Sequence, residues 1–417
     1  MKVLVEYNKG EIEVQIPEER MAGLVEPNDV EIQGSPRELL KTALTKSEPE
    51  SFESFLKAPG KLLVIVNDGT RPTPTQAILD CIADELEAAG AEFIIATGAH
   101  RGPTIEEYAL IFGKNYERFS NRIYVHDARK HEDCLFLGTS INGTELTINK
   151  RGVEAEKLLV IGSVEPHYFA GYTGGRKGIL PGIASYRTIE ENHRHALHPM
   201  AKSLQLEGNP VHEDMMDALN LLDNRIFGIM SVLDKNHQIY SLTAGDIRTS
   251  FYDAVGKAED VFVAPVEGAV EIVVSICRYP MDIDLYQAQK AIDNGKLILK
   301  EGGILILVSS CWDGLGDETF IKLLRSSDTP EGVHAKIAGE YRLGYHKAGK
   351  MAEVFQQAEV WAMTEVPDDV LRDIFIRPVH NLQEALDEAF KKLGEEARVL
   401  FLSDGSVTVP TVKQTIF

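Results

Sequence analysis

Several segments of the sequence place ionisable side chains among glycines and prolines, a mixture that suits ligand binding better than packing. Segment 67–75 stands just before a helical pattern and contains Asp68, Gly69, Thr70 and Arg71. Backbone N–H groups at a helix start, together with Arg71, could converge on a negatively charged ligand or cofactor. The alternative is a structural helix entry in which Asp68 acts as a cap.

Two further segments present histidines suited to proton transfer. His100 lies between glycines in segment 97–104, and His167 lies in the glycine-rich segment 162–182 together with Lys177. Imidazole titrates near neutral pH, so either histidine could be a general acid or base, although a lone loop histidine is as often structural. Lys177 could be a point charge or a covalent anchor. Segment 162–182 is neither a Walker loop nor a GxGxxG motif, because a glycine follows the lysine.

Three histidines stand within six positions, at His193, His195 and His198. His195 and His198 could share one helix face, as a pair of metal ligands would. No HExxH pattern and no third ligand at metal spacing accompanies them, which argues against a site built from protein ligands alone. One of these histidines completing a metal held mainly by another group fits the pattern better.

Gln287 and Lys290 lie three positions apart at the start of a predicted helix. On one helix face, they could clamp a carboxylate through charge-assisted hydrogen bonds. A solvated Gln and Lys on a surface helix is the alternative, and without further context it is favoured.

The composition restricts the classes of partner. The chain has 417 residues and a formal net charge of −21, with no segment that gathers the basic residues. Nucleic acids and anionic membranes are therefore unexpected partners, and an anion site must be assembled locally. Four cysteines without a CxxC pair disfavour disulfides and thiolate metal sites. No apolar run of bilayer length and no signal peptide is evident, which predicts a cytoplasmic protein.

Short apolar runs alternate with amphipathic segments, which predicts an α/β fold with mostly parallel sheets. The strand candidates are 62–66, 93–96, 123–125, 158–161, 272–275, 304–308 and 399–402, and the helix candidates include 75–89, 105–112, 211–222 and 286–294. A polar segment over 246–267 separates two groups of strands. We therefore predict an N-terminal cofactor-binding domain over 1–267 and a C-terminal substrate-clamping domain over 268–417, whose last residues could return to the first domain.

Taken in order, these segments resemble the nickel-dependent lactate racemase family. The matching motifs are Asp-Gly-Thr-Arg at 68–71, Gly-Ala-His-Arg at 98–101, Glu-Pro-His at 165–167 with Gly-Gly-Arg-Lys at 174–177, Asn-His at 192–193, and Tyr-Gln-Ala-Gln-Lys at 286–290. Such motifs in one order over most of the chain are far more specific than any one of them.

The resemblance implies a cofactor. In the family this is a nickel pincer nucleotide, a pyridinium mononucleotide with a thioamide and a thiocarboxylate, bound covalently to a lysine that Lys177 matches. Its nickel is held by a ring carbon, two sulfurs and one histidine, which His193 matches. Segment 68–71 matches the part that contacts the cofactor. Because other proteins make this cofactor, cofactor-biosynthesis proteins are implied partners.

The resemblance also implies the reaction, inversion of C2 in a 2-hydroxy acid by hydride transfer. His100 and His167 match two histidines that act as proton acceptor and donor on opposite faces of the substrate. Arg71 matches a residue reaching the substrate pocket, while Gln287 and Lys290 match substrate-binding positions of the second domain. An active site in a cleft between the two domains is therefore expected.

Substrate identity and two other functions stay open at this point. Family members act on lactate, malate, aromatic hydroxy acids or sugar acids, and the group on C2 could be read by Tyr168, Arg194, Trp312 or the loop 344–350. An NAD-type 2-hydroxyacid oxidoreductase shares hydride chemistry but would need a GxGxxG motif. A small-ligand binding protein would not require two histidines at strand ends.

Overall fold

A computed structural model describes residues 1–413 and divides the chain into two compact units. The middle unit spans Asp29–Val261. The split unit combines Met1–Asn28 with the chain from Phe262 onward. Each unit contains a six-stranded sheet flanked by helices. The predicted α/β class with mostly parallel sheets in two domains is confirmed.

The elements alternate along the chain as expected for this class. The strands are β1 Lys2–Tyr7, β2 Gly10–Gln15, β3 Met21–Val25, β4 Leu62–Asn67, β5 Glu92–Ala96, β6 Ile123–Val125, β7 Cys134–Thr139, β8 Glu145–Asn149, β9 Lys157–Ser163, β10 Pro166–His167, β11 Gly171–Tyr172, β12 Arg225–Leu233, β13 Ile239–Asp246, β14 Val263–Val266, β15 Val270–Ile276, β16 Leu299–Val308, β17 Glu359–Met363, β18 Ile376–Pro378, β19 Val399–Leu402 and β20 Val409–Val412. The helices are α1 Pro36–Thr45, α2 Phe52–Lys57, α3 Thr75–Ala88, α4 Ile105–Phe112, α5 Tyr116–Phe119, α6 Lys150–Glu154, α7 Tyr186–Arg194, α8 Pro210–Asn220, α9 Ile247–Phe262, α10 Leu285–Gly295, α11 Glu318–Arg325, α12 Pro330–Gly339, α13 Tyr345–Gln357, α14 Asp368–Arg372 and α15 Leu382–Leu393.

The sheet of the middle unit has the strand order β13-β12-β9-β4-β5-β6. Its strands run parallel except β13, which is antiparallel to β12. The apolar runs in β4 and β9 are buried along their length, because helices cover both faces of the sheet. Since β9, β4 and β5 are neighbours, the loops after them meet at one carboxyl edge.

The sheet of the split unit has the order β18-β17-β16-β15-β19-β3, with every pair parallel. β3 pairs with β19, so the start of the chain supplies an edge strand to a sheet made by its second half. The predicted assignment of 1–28 to the N-terminal domain was therefore wrong. The last described strand, β20, pairs with β14 of the split unit, so the expected return of the last residues to the other unit is not seen as far as Lys413.

The segment 246–267, read as a polar separator, is mostly the sixteen-residue helix α9. Its buried side chains recur at helical spacing, at Phe251, Ala254, Val255, Ala258 and Val261. Charged residues at the intervening positions raise the average polarity of the segment, so its composition alone does not indicate a buried helix face. Within residues 1–413, the structure has no helix with both the length and the apolar character needed to cross a bilayer.

Candidate functional site

The predicted acid/base histidine His100 is paired with the predicted cofactor contact Asp68. Asp68 directly follows β4, and His100 lies in the loop after the neighbouring strand β5. The Nδ1 atom of His100 is 2.8 Å from Oδ2 of Asp68. The other carboxylate oxygen accepts hydrogen bonds from the backbone N–H and the hydroxyl of Thr70, at 3.1 and 2.6 Å. Two predicted site segments thus meet in one hydrogen-bonded unit.

Asp68 is ionised in this arrangement. Its side chain is 6% exposed, and burial alone would raise its pKa. The hydrogen bonds from His100 and Thr70, with the charge of Arg71 nearby, outweigh burial and hold the pKa below its ordinary value. An ionised carboxylate accepts from Nδ1–H of His100, which leaves Nε2 of that ring as the proton acceptor. Asp68 therefore both orients His100 and selects its tautomer.

We expect Asp68→Asn to lower turnover about tenfold, since a hydrogen bond to a charged group contributes roughly 1.5 kcal/mol where one partner is half exposed. His100 is 46% exposed, which places the effect on turnover at the lower end of the range for such bonds.

The same substitution should change the pH dependence of stability. Because the folded-state pKa of Asp68 is depressed, the ionised carboxylate stabilises the fold above the ordinary carboxyl pKa, and this stabilisation is lost as pH falls through the depressed value. Acid-unfolding midpoints of both proteins check this: the variant should lose less stability at low pH. Equal turnover and equal acid sensitivity would contradict the pairing.

The loop after β9 presents the second histidine and the lysine. His167 ends the short strand β10, and its Nδ1 accepts from the backbone N–H groups of Phe169 and Ala170, at 3.5 and 3.3 Å. Lys177 lies in a 3-10 turn spanning Gly175–Gly178. The turn requires glycine at its first position, where φ is +53° and a Cβ would lie 2.9 Å from Phe251. The glycines thus permit a tight backbone path that brings the lysine next to the histidine loop.

His193, the predicted nickel ligand, lies near the end of α7. Burial, followed by the charge of Lys177, lowers its pKa to about 3, so its ring is neutral at physiological pH. His195 instead faces Thr144 at 3.3 Å and the buried carboxylate of Asp214 at 3.6 Å, and His198 is exposed. The structure therefore separates the three histidines of this cluster. Within residues 1–413, no group of three or more His, Cys, Asp or Glu side chains forms a potential metal site.

Phe169 is a site residue that the sequence analysis missed. Its ring centre is 4.5 Å from that of His167, 5.1 Å from that of His193 and 5.8 Å from Nζ of Lys177. The three predicted residues therefore surround one aromatic ring. An aromatic residue inside a loop carries no spacing signal, so only its position between the other motifs could have indicated it.

Gln287 and Lys290 lie on α10 in the split unit, within the first two turns, as predicted. Asp284 caps this helix by accepting from the backbone N–H of Gln287 at 2.7 Å. Lys290 contacts the sulfur of Met281 at 3.4 Å. Their role in binding a carboxylate stays a prediction.

Among the candidates for reading the group on C2, Tyr168 stacks on His167 with ring centres 5.0 Å apart. Arg194 is exposed and Trp312 is 54% exposed. The expected loop 344–350 is instead the start of α13, where Lys347 and Lys350 are buried. The expectation of a loop there was wrong.

The chain is a two-domain α/β protein. Its middle unit carries histidines and a lysine at one edge of its sheet, an arrangement typical of an enzyme. Models of the lactate racemase N-terminal and C-terminal domains match residues 7–204 and 266–409. A lactate racemase from Thermoanaerobacterium thermosaccharolyticum is 30% identical over 96% of this chain and 97% of that protein. One from Lactiplantibacillus plantarum is 28% identical over the same shares.

Solved structures agree with these matches. The lactate racemase apoprotein from Thermoanaerobacterium thermosaccharolyticum superimposes with a TM-score of 0.91 at 30% identity, covering 99% of this chain and all of that one. A Thermotoga maritima protein shares the fold, with a TM-score of 0.68 at 17% identity over 92% of this chain and 100% of that chain. The chain belongs to the lactate racemase family. It is an isomerase of the racemase type, and the resemblance seen in its motifs is confirmed.

Proposed function

We propose that this chain inverts C2 of a 2-hydroxy acid by hydride transfer to a lysine-bound nickel pincer nucleotide, with lactate as the leading substrate. The observation that carries the proposal is the convergence of His100, His167, Lys177 and His193 in the middle unit. Phe169 joins three of them, and the loop of His100 contacts the Lys177 loop through the backbone N–H of Gly98, which donates to the carbonyl of Gly182 at 2.9 Å. The two relatives named lactate racemases support the choice of substrate.

The residues present fit the proposed cofactor. The Lys177 amine sits in a turn whose glycines allow close backbone approach, and His193 offers a neutral imidazole beside it. Lys177 would form the covalent bond and His193 would complete the nickel coordination. When bound, the nucleotide would supply an electron-deficient carbon that accepts the C2 hydride and returns it to the other face.

Two histidines would manage the hydroxyl proton. Nε2 of His100, freed by the Nδ1 contact with Asp68, would take the proton from one enantiomer, and His167 would take it from the other. The histidine not acting as base would return a proton to the planar keto acid as the opposite enantiomer forms. Arg71 would hold the substrate carboxylate in a fixed position during the reaction. Carboxylate binding by Gln287 and Lys290 stays a prediction of the resemblance.

Racemisation assays of the purified, cofactor-loaded enzyme test the proposal. Single enantiomers of lactate, malate, an aromatic hydroxy acid and a sugar acid would each be incubated, and the products separated by chiral chromatography. We expect conversion of at least one to its C2 epimer without added NAD. The absence of conversion in protein whose mass shows the loaded cofactor would contradict the proposed reaction. Loading requires co-expression with the cofactor-biosynthesis proteins.

The nickel ligand can be tested separately from activity. We expect His193→Ala to reduce nickel bound per loaded chain about tenfold or more, because it removes the one proposed protein ligand. His195→Ala and His198→Ala are the matched controls, since His195 contacts the Asp214 network and His198 is exposed. Elemental analysis of each variant measures the metal. Equal nickel loss in all three would indicate a shared histidine cluster instead.

A further inference from the structure

Arg176 is completely buried, directly before the proposed cofactor lysine. Its guanidinium donates to the carbonyl oxygens of Ala170 at 2.8 Å and of Thr173 and Gly174 at 3.2 Å each. The guanidinium carbon also lies 4.2 Å from the centre of the Phe251 ring. One rigid planar group therefore holds three carbonyls of the loop between His167 and Lys177.

A fourth N–H group of the guanidinium donates outside the loop. Nε–H of Arg176 donates to Nδ1 of His212 on α8, at 3.0 Å. Burial and the adjacent Arg176 charge lower the pKa of His212 to about 3, so the ring stays neutral and can accept this bond. Its Nε2 then carries the hydrogen and faces the hydroxyl of Tyr252 at 3.4 Å. Helix α8 thus provides a fixed acceptor for the arginine.

Two other contacts tie the same loop to the segment around the start of α8. Asn209, which caps α8, donates through its side chain to the carbonyl of Phe169 at 2.9 Å. The backbone N–H of Leu204 donates to the carbonyl of Gly171 at 3.2 Å. The loop is thus held from inside by Arg176 and from outside by residues leading into α8.

A buried arginine whose acceptors are uncharged is costly, since the charge loses its hydration. Lys157 is a useful comparison, because it is 2% exposed and donates to the carbonyls of Leu56 and Ala58. It lies at the opposite end of β9 from the histidine loop. The middle unit thus holds two buried cations on backbone carbonyls, of which only Arg176 lies between the proposed acid/base and the proposed anchor.

We infer that Arg176 and His212 form a buried latch that positions His167 and Lys177 relative to each other for the reaction. The catalytic consequence of the latch rests on the proposed function, whereas its effect on the order of the loop between His167 and Lys177 does not. Arg176 is a positioning residue, since its donors are all directed at the protein. A small displacement of either group from the reacting geometry would lower the rate without removing a substrate contact.

The test compares Arg176→Met, Arg176→Lys and His212→Gln, with Lys157→Met as the matched control. Hydrogen exchange followed by mass spectrometry measures order in peptides covering 165–178. Turnover is measured on loaded enzyme and divided by the loaded fraction from intact mass. We expect Arg176→Met to exchange about tenfold faster within 165–178 alone. We expect kcat to fall about 10- to 100-fold with KM changed less than about threefold, since misplacement acts on the chemical step.

Arg176→Lys should restore part of both properties, because it can still donate to some of the carbonyls. Lys157→Met should lower the melting temperature while leaving kcat per loaded enzyme and exchange in 165–178 unchanged. If Arg176→Met keeps wild-type exchange in this segment, or loses protection throughout the middle unit, the latch is wrong. A latch confirmed by exchange in a wild-type enzyme that racemises no 2-hydroxy acid would overturn the proposed function alone. If Arg176→Met does not fold, wild-type exchange in both Arg176→Lys and His212→Gln would overturn the latch.

Discussion

Lys177→Ala is expected to abolish both the covalent cofactor adduct and racemase turnover while leaving the fold intact. The lysine side chain is partly exposed within a 3-10 turn, so its removal opens no core cavity. Without the amine no covalent bond can form, and the hydride acceptor is not retained. Intact mass spectrometry of protein co-expressed with the cofactor-biosynthesis proteins measures the adduct, and circular dichroism checks the fold.

Lys202→Ala is the matched control, since Lys202 is an exposed lysine of the same unit. This variant should keep the adduct mass and wild-type turnover. An adduct that persists in Lys177→Ala would assign the attachment to another residue. An adduct lost equally in both variants would point to failed loading and not to the attachment site.

Substitution of either acid/base histidine should nearly silence racemisation in both directions. General acid/base catalysis typically contributes about 10²- to 10⁴-fold, and each turnover uses one histidine as base and the other as acid. We therefore expect His100→Asn and His167→Asn each to lower kcat by this range from either enantiomer, with the Lys177 adduct unchanged. Chiral chromatography of initial rates from each pure enantiomer measures the effect.

The exposed His131 provides the control, and His131→Asn should leave the rates unchanged. A variant of His100 or His167 that retains wild-type rates from both enantiomers would remove that residue from the mechanism. Asp68→Asn should fall between wild type and His100→Asn, since it disturbs the orientation of the ring without removing it. That order of rates distinguishes a positioning carboxylate from a cofactor contact.

The sequence identified seven of the twelve strands in the two six-stranded sheets, most of which are short apolar runs buried on both faces. It missed β3, β12, β13, β17 and β18. The run 62–66, for example, lies within β4. Such a run differs from the polar loops that flank it in the sequence, so it can be recognised without knowing which strands pair with it. The same argument placed His100 and His167 at strand ends, and the order β9-β4-β5 brings their loops to one edge.

Long-range pairing and local detail were less accessible from the sequence. Nothing within Met21–Val25 shows that it joins a strand nearly 380 residues later, since parallel pairing depends on the whole sheet. The hydrogen bond between Asp68 and His100 likewise depends on the geometry of two loops. Phe169 and the contact between Arg176 and His212 are set by tertiary packing, which leaves no periodic pattern.

The fate of the C2 hydrogen tests the central claim most directly. Loaded enzyme would convert one pure, unlabelled enantiomer of lactate in deuterium oxide, and proton NMR of the isolated opposite enantiomer would report C2. Hydride transfer and return predicts that the inverted product keeps its original C2 hydrogen, because that hydrogen never exchanges with solvent, while the hydroxyl proton handled by His100 and His167 does. Deuterium at C2 of the product from the first turnovers would instead show proton abstraction through a carbanion and would contradict the account.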